Sequence, residues 1–171
     1  MNKISLIQSH IDQFVVAGTF LYSLNHPLIE KVIKAELKGE ASIIHFGKHD
    51  GSYFKKDLIE TYESAKGNSV FNSSFISVQL MASTTIIHDS LKEEKHLFPS
   101  ELWEFLRHLR NAAGHGNRFE IRSQKILPAR FGKLSVTAEL HGYENVFTDF
   151  VNTGDVLELF TTLIKHLQNG T

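Results

Sequence analysis

Leu106-Arg107-His108-Leu109-Arg110-Asn111-Ala112-Ala113-Gly114-His115-Gly116-Asn117 sets reactive side chains and leucines on one predicted helix, and the reading of the fold starts there. Pro99 is placed to open that helix, and Leu102, Phe105, Leu106, Leu109 and Ala113 recur at steps of three and four until Gly114 and Gly116 end it. At about 100° per residue, Glu104, Arg107, His108, Asn111 and His115 fall within a fan of about 100° opposite the leucines, with Arg110 on its flank. One helix therefore carries an apolar side for a core and a polar side of functional type.

The same rhythm extends outward. Ile4, Ile7, Ile11, Phe14, Val15, Gly18 and Leu21 predict a helix from Lys3 to Leu24. Pro27 starts a second, with Leu28, Ile29, Val32, Ile33 and Leu37 as its stripe and a stop at Gly39. Gly47 to Gly51 reads as loop, followed by a third helix from Tyr53 to Lys66 that turns Phe54, Leu58, Ile59 and Tyr62 inward. A fourth, capped by Asn72 or Ser73 and running to about Glu94, has Phe75, Val78, Ala82, Ile86 and Leu91 as its core face. The period then becomes two at Leu134, Val136, Ala138 and Leu140, a half-buried strand with Val146 to Val151 as its partner. Asp155 and Glu158 open a last helix built on Leu157, Phe160, Leu163, Ile164 and Leu167. With no repeat and no linker, residues 1–171 are expected to form a single, mainly α domain: an antiparallel helical bundle with a β-hairpin insertion at 119–151, before the C-terminal helix.

Composition narrows the chemistry. The chain has 171 residues, 42% hydrophobic and 22% charged, which fits a globular domain and excludes a disordered arm. The absence of cysteine excludes thiol nucleophiles, iron–sulfur clusters and Cys-containing zinc sites, and is compatible with the cytoplasm. The longest charge-free stretch, Gly67 to His88, is crowded with Asn, Ser, Thr and Gln, so no membrane span is expected, and the interrupted N-terminal run predicts no secretion. The net charge of −1 conceals an asymmetry. Arg107, Arg110, Arg118, Arg122, Lys125, Arg130 and Lys133 stand against Glu120 alone, a local +6 that leaves −7 on the remainder. Such a segment suits either a bound phosphate backbone or a solvated face.

Histidine moves protons near neutrality, and a permanently charged guanidinium holds a phosphoryl group and its developing charge, so this helix fits phosphodiester cleavage without metal. The structural alternative is the wet side of a bundle. Arg110-Asn111-Ala112-Ala113-Gly114-His115 then matches an Arg, a polar residue, three variable residues and a His, a signature that resembles the catalytic motif of HEPN domains. The similarity is residue by residue from about Leu106 to Phe119, and in the order of elements over most of the chain.

The resemblance implies a helical bundle, usually homodimeric, of the stand-alone type carried on plasmids and other mobile elements. Many such domains are metal-independent ribonucleases of toxin–antitoxin and defence systems. It implies that Arg110 binds the scissile phosphate, Asn111 supports it and His115 is the general acid/base, with no cofactor and with two motifs sharing one cleft. Arg107, His108, Asn117 and Arg118 are further candidates for RNA contact. The other function class is a non-catalytic module that binds nucleotides or RNA, or pairs with a nucleotidyltransferase antitoxin. His45 and His49, spaced i, i+4, favour a solvated loop over metal ligation, and His88-Asp89 is a possible hydrogen-bonded dyad. No phosphate-binding glycine signature is present.

Overall fold

The computed structural model describes residues 2–37, 42–123 and 126–170. Its elements in chain order are α1 (Lys3–Ser23), α2 (Pro27–Glu36), β1 (Ile43–Gly47), β2 (Tyr53–Asp57), α3 (Leu58–Ala65), α4 (Ser69–Ser90), α5 (Ser100–Gly114), β3 (Ala129–Phe131), β4 (Leu134–Val136) and α6 (Thr153–Asn169). The protein is mainly helical, with two small antiparallel hairpins, β1–β2 and β3–β4. Its residues pack as two compact units, one comprising those up to Phe14 with those from Ser74 onward, the other Val15–Ser73. The predicted helix stop at Gly39 and the basic residue Lys125 lie outside the described residues.

In the first unit α5 is the centre of the core. Leu102, Phe105, Leu106, Leu109 and Ala112 are buried there with Leu80 and Ile87 of α4 and Val156, Leu159, Phe160 and Leu163 of α6. Helix α6 begins three residues earlier than the sequence suggests. Asn152 is its cap, and Asp155 is the third helical residue that returns a carboxylate to the Asn152 N–H at 2.8 Å, completing a capping box.

The insertion before α6 does contain a hairpin, but its strands are β3 and β4, in the register Ala129↔Val136 and Phe131↔Leu134. The alternation from Leu134 is cut short because Ala138–Leu140 winds into a 3-10 turn, and Val146–Phe150, read as the returning strand, is a π-helical turn. The insertion belongs to the core. Phe131 and Phe150 ring-pack on Phe105 at 5.9 and 6.3 Å, and Phe119 meets Phe150 edge-on at 5.0 Å.

Helix α4 is rotated from its expected setting. Val78 and Ile86 are 58% and 46% exposed, while Ser77, Leu80, Ser83, Thr84, Ile87 and His88 face inward. Two apolar stripes run on nearly opposite faces, Val78-Ala82-Ile86 on one and Leu80-Ile87, continued by Leu91 just past the helix end, on the other, and small Ser and Thr side chains let the second one pack closely. One inward hydroxyl is satisfied across the core, where Ser83 Oγ lies 3.0 Å from His10 Nδ1 of α1. Among the described residues α4 alone has the length and apolar composition of a bilayer span, and the face it turns into the protein mixes Leu80 and Ile87 with Ser77, Ser83, Thr84 and His88. Its cap is Asn68, whose Oδ1 accepts the Phe71 N–H at 2.9 Å, four residues ahead of the expected start.

In the second unit, the apolar stripe of α2 stays at the surface: no residue of that helix is buried, and Leu28 and Val32 are exposed. The predicted third helix is shorter. Tyr53–Asp57 pairs with Ile43–Gly47 as a strand, and Asp57 then caps α3 by accepting the N–H groups of Ile59 and Glu60 at 2.8 and 3.0 Å. Phe54 consequently lies exposed on the hairpin, whereas Tyr62 is buried and donates its hydroxyl to Leu24 O at 2.8 Å.

Candidate active site

The end of α5 is shaped by its glycines. His115 is the C-cap residue, its N–H donating to Asn111 O at 3.0 Å and Ala112 O at 3.2 Å. Gly116 and Asn117 follow with φ of +70° and +66°, two consecutive left-handed residues that turn the chain off the helix axis. The turn is locked from the other side, because Asn117 Oδ1 accepts the Phe147 N–H at 2.8 Å and Asn117 O accepts the Val146 N–H at 3.1 Å. His115 is thereby held at the helix mouth with its ring exposed.

Arg110 does not stand free. Its Nε and Nη2 donate to the two carboxylate oxygens of Asp89 on α4, at 3.2 and 3.1 Å, a side-on bidentate pair. Nη1 is left over, has no acceptor among the described residues, and lies over Gly114, where a methyl group would approach it to 3.8 Å. The remaining edge of the guanidinium thus reaches the turn that carries His115.

Asp89 is the hub. Besides Arg110 it meets the His88 Nδ1 at 2.9 Å and Lys92 Nζ at 3.2 Å. The Arg110 guanidinium first, and the His88 hydrogen bond second, hold its carboxyl well below the usual carboxylate range. A carboxylate can only accept, so His88 Nδ1 carries the proton, and His88 Nε2 lies buried with no partner among the described residues. That ring stacks on Trp103 of α5 at 4.8 Å, and burial lowers its proton affinity more than Asp89 raises it. His88 is a neutral support under a charged clamp.

The polar fan of α5 is only partly wet. Glu104 and His108 are buried, at 9% and 4% exposure. Arg107 lies across both, donating Nε to Glu104 Oε2 at 2.8 Å and Nη2 to His108 Nε2 at 3.2 Å. Burial, then the Arg107 charge, lowers the His108 proton affinity. His108 and the Asn117 carbonyl therefore have structural partners inside the fold, while Asn111 is half-buried and Arg118 is exposed 3.9 Å from Glu120. The +6 segment is partly neutralised, from within and without: Glu104 and Asp89 take Arg107 and Arg110, and Glu120 serves both Arg118 and Arg122.

Asp89 is the residue that sequence reasoning paired only with His88. A signal existed, since it is the one Asp, Glu, Lys or Arg between Lys66 and Lys92. An isolated charge at the end of a long apolar helix needs a partner, but 21 residues and a change of helix separate it from Arg110. His45 belongs to β1 and packs on Tyr53 at 5.8 Å, and among the described residues no group of three or more His, Asp or Glu is placed to hold a metal ion. What the arrangement can do chemically is hold one anion on the open edge of Arg110 and exchange a proton at His115. No family model, no curated protein and no solved structure matches this chain.

Proposed function

We propose that the protein is a metal-independent endoribonuclease of HEPN type, acting as a homodimer on RNA in the cytoplasm as a toxin or defence effector. The observation that carries this reading is the clamp: Asp89 holds Arg110 side-on so that Nη1 stays open above Gly114, one residue before the exposed His115. Arg110 binds a non-bridging phosphate oxygen and stabilises the charge that grows there. The ribose 2′-oxygen bonds to its own phosphorus as its proton passes to an imidazole. The bond from phosphorus to the 5′-oxygen breaks, that oxygen takes a proton from an imidazolium, and a 2′,3′-cyclic phosphate is left.

Two imidazoles serve this scheme better than one, and α4 offers a way to supply the second. Its stripe of Val78, Ala82 and Ile86 continues on the same helix face to Asp89. A second copy covering that stripe brings two Arg110–His115 pairs alongside each other.

The test compares wild type with His115→Ala and Arg110→Ala on structured and unstructured RNA in chelator. Expected is cleavage by wild type that leaves cyclic-phosphate ends, and a loss of at least about 100-fold in either variant. Equal cleavage by all three preparations, or none by any, overturns the nuclease reading. RNA bound with unaltered ends assigns the non-catalytic module that binds nucleotides or RNA, or pairs with a nucleotidyltransferase partner, instead.

A further inference from the structure

We infer that the β1–β2 hairpin is a single-stranded RNA-binding arm that stacks bases on both of its faces. The hairpin is a two-stranded ribbon in the register His45↔Lys55, Phe46↔Phe54 and Gly47↔Tyr53. Side chains alternate across a strand, so His45, Tyr53 and Lys55 share one face, and Ile44, Phe46, Phe54 and Lys56 share the other. Each face presents an aromatic pair, His45–Tyr53 at 5.8 Å and Phe46–Phe54 at 6.1 Å, with a lysine beside it. None of these rings serves a core: Phe46, Tyr53 and Phe54 are 52%, 60% and 55% exposed. Cross-strand pairing of the rings stabilises the ribbon only slightly, and more than half of each large ring's residue surface stays open to a ligand.

The charge pattern selects the occupant. Lys48, Lys55 and Lys56 outnumber Asp50 and Asp57 by one, and both acids are turned to local roles: Asp50 accepts the Ser52 N–H at 2.9 Å and the Ser52 hydroxyl at 2.6 Å, and Asp57 caps α3 while accepting the Ser42 hydroxyl at 3.0 Å. The lysines are not spent in the same way. Lys56 only approaches Glu60, at 4.0 Å, and Lys48 and Lys55 form no ion pair among the described residues. Aromatic rings on both sides of a thin ribbon, each with a cation at its edge, suit a flexible strand whose bases splay out and whose phosphates pass the lysines. This inference stands on the hairpin alone and shares only its ligand class with the nuclease reading.

The measurement is fluorescence anisotropy of a short labelled oligouridine with 2′-O-methyl riboses, which attack by a 2′-hydroxyl cannot cut, titrated with the full chain. Tyr53→Ala and Phe54→Ala are each expected to weaken binding about tenfold. Lys48→Gln and Lys55→Gln are each expected to flatten the slope of log affinity against log salt by about 0.7. All four positions are exposed, so the thermal midpoints stay at the wild-type value. Wild-type affinity in both aromatic variants, or no binding by wild type, overturns the inference. So do hairpin variants that change the sedimentation of the protein while RNA affinity is unmoved, since the ribbon is then an interface between copies. Cleavage of unmodified RNA is read separately. Cleavage lost in His115→Ala with hairpin variants binding normally removes the arm and keeps the nuclease, and hairpin-dependent binding without any cleavage does the reverse.

Discussion

Asp89 decides what Arg110 is able to do. An unpaired arginine at a helix end samples many rotamers, whereas a side-on carboxylate fixes the plane of the guanidinium and leaves one edge for a ligand. Both side chains are about one third exposed, at 35% and 36%, so as a stabilising interaction the pair is worth only about 0–1 kcal/mol. Its effect on geometry is expected to exceed its effect on stability. On the proposed nuclease reading, Asp89→Asn lowers kcat about 10- to 100-fold with the thermal midpoint within about 4 °C of wild type, and Asp89→Glu recovers part of the loss. Steady-state kinetics beside a melting curve separates the two effects, and a midpoint that collapses with activity makes Asp89 a structural residue instead. Arg110, Asn111 and His115 were legible in the sequence because they sit on one helix end. Asp89 was not, because a contact between two helices leaves no local period, and for the same reason burial of His108 could not be read from its place in the polar fan.

At the scale of elements, α4 shows how a correct helix can carry a wrong inside. Its two apolar stripes are nearly equal in hydrophobicity, and period alone does not rank them. The core accepted Leu80, Ile87 and Leu91 with small polar neighbours, and left Val78, Ala82 and Ile86 outside. An exposed apolar row on a helix whose other face is in the core is where the proposed second copy belongs. Val78→Glu with Ile86→Glu is therefore expected to convert a dimer into a monomer with unchanged helix content, because neither residue is needed inside one chain. Sedimentation velocity of wild type and variant at micromolar concentration checks this, and a monomeric wild type removes the composite cleft. The hairpin β1–β2 was missed for a related reason. Its residues are exposed on both faces, so it lacks the alternation of apolar and polar side chains that marks a strand half-buried in a core.

For the whole molecule, burial sets the response to acid. His10, His88 and His108 all hold protons less readily than free histidine, chiefly through desolvation, opposed at His88 by Asp89 and reinforced there by Lys92 and Arg110, and reinforced at His108 by Arg107 against Glu104. Their folded-state values lie below 6.5, so the unfolded chain binds more protons just under that pH. The stability they contribute is complete above about pH 6.5 and is lost as pH falls below it toward their folded values, while Asp89 matters only under its own unfolded value near 3.8. Thermal midpoints are expected to be flat around pH 7 to 8 and to fall as the pH drops below about 6.5, less steeply in His108→Gln. A curve of the same slope in the variant shows that His108 does not carry the effect. By itself the sequence determined the helices of the bundle, the glycine-defined end of α5 and the Arg–His pair upon it, because period, caps and stops are written between near neighbours. Only the tertiary structure decided which stripe of α4 faces in, which acid grips Arg110, which polar residues of α5 are buried, and that an aromatic ribbon stands exposed. Those outcomes depend on what packs across from each residue, and partners distant in the chain leave no mark on local spacing.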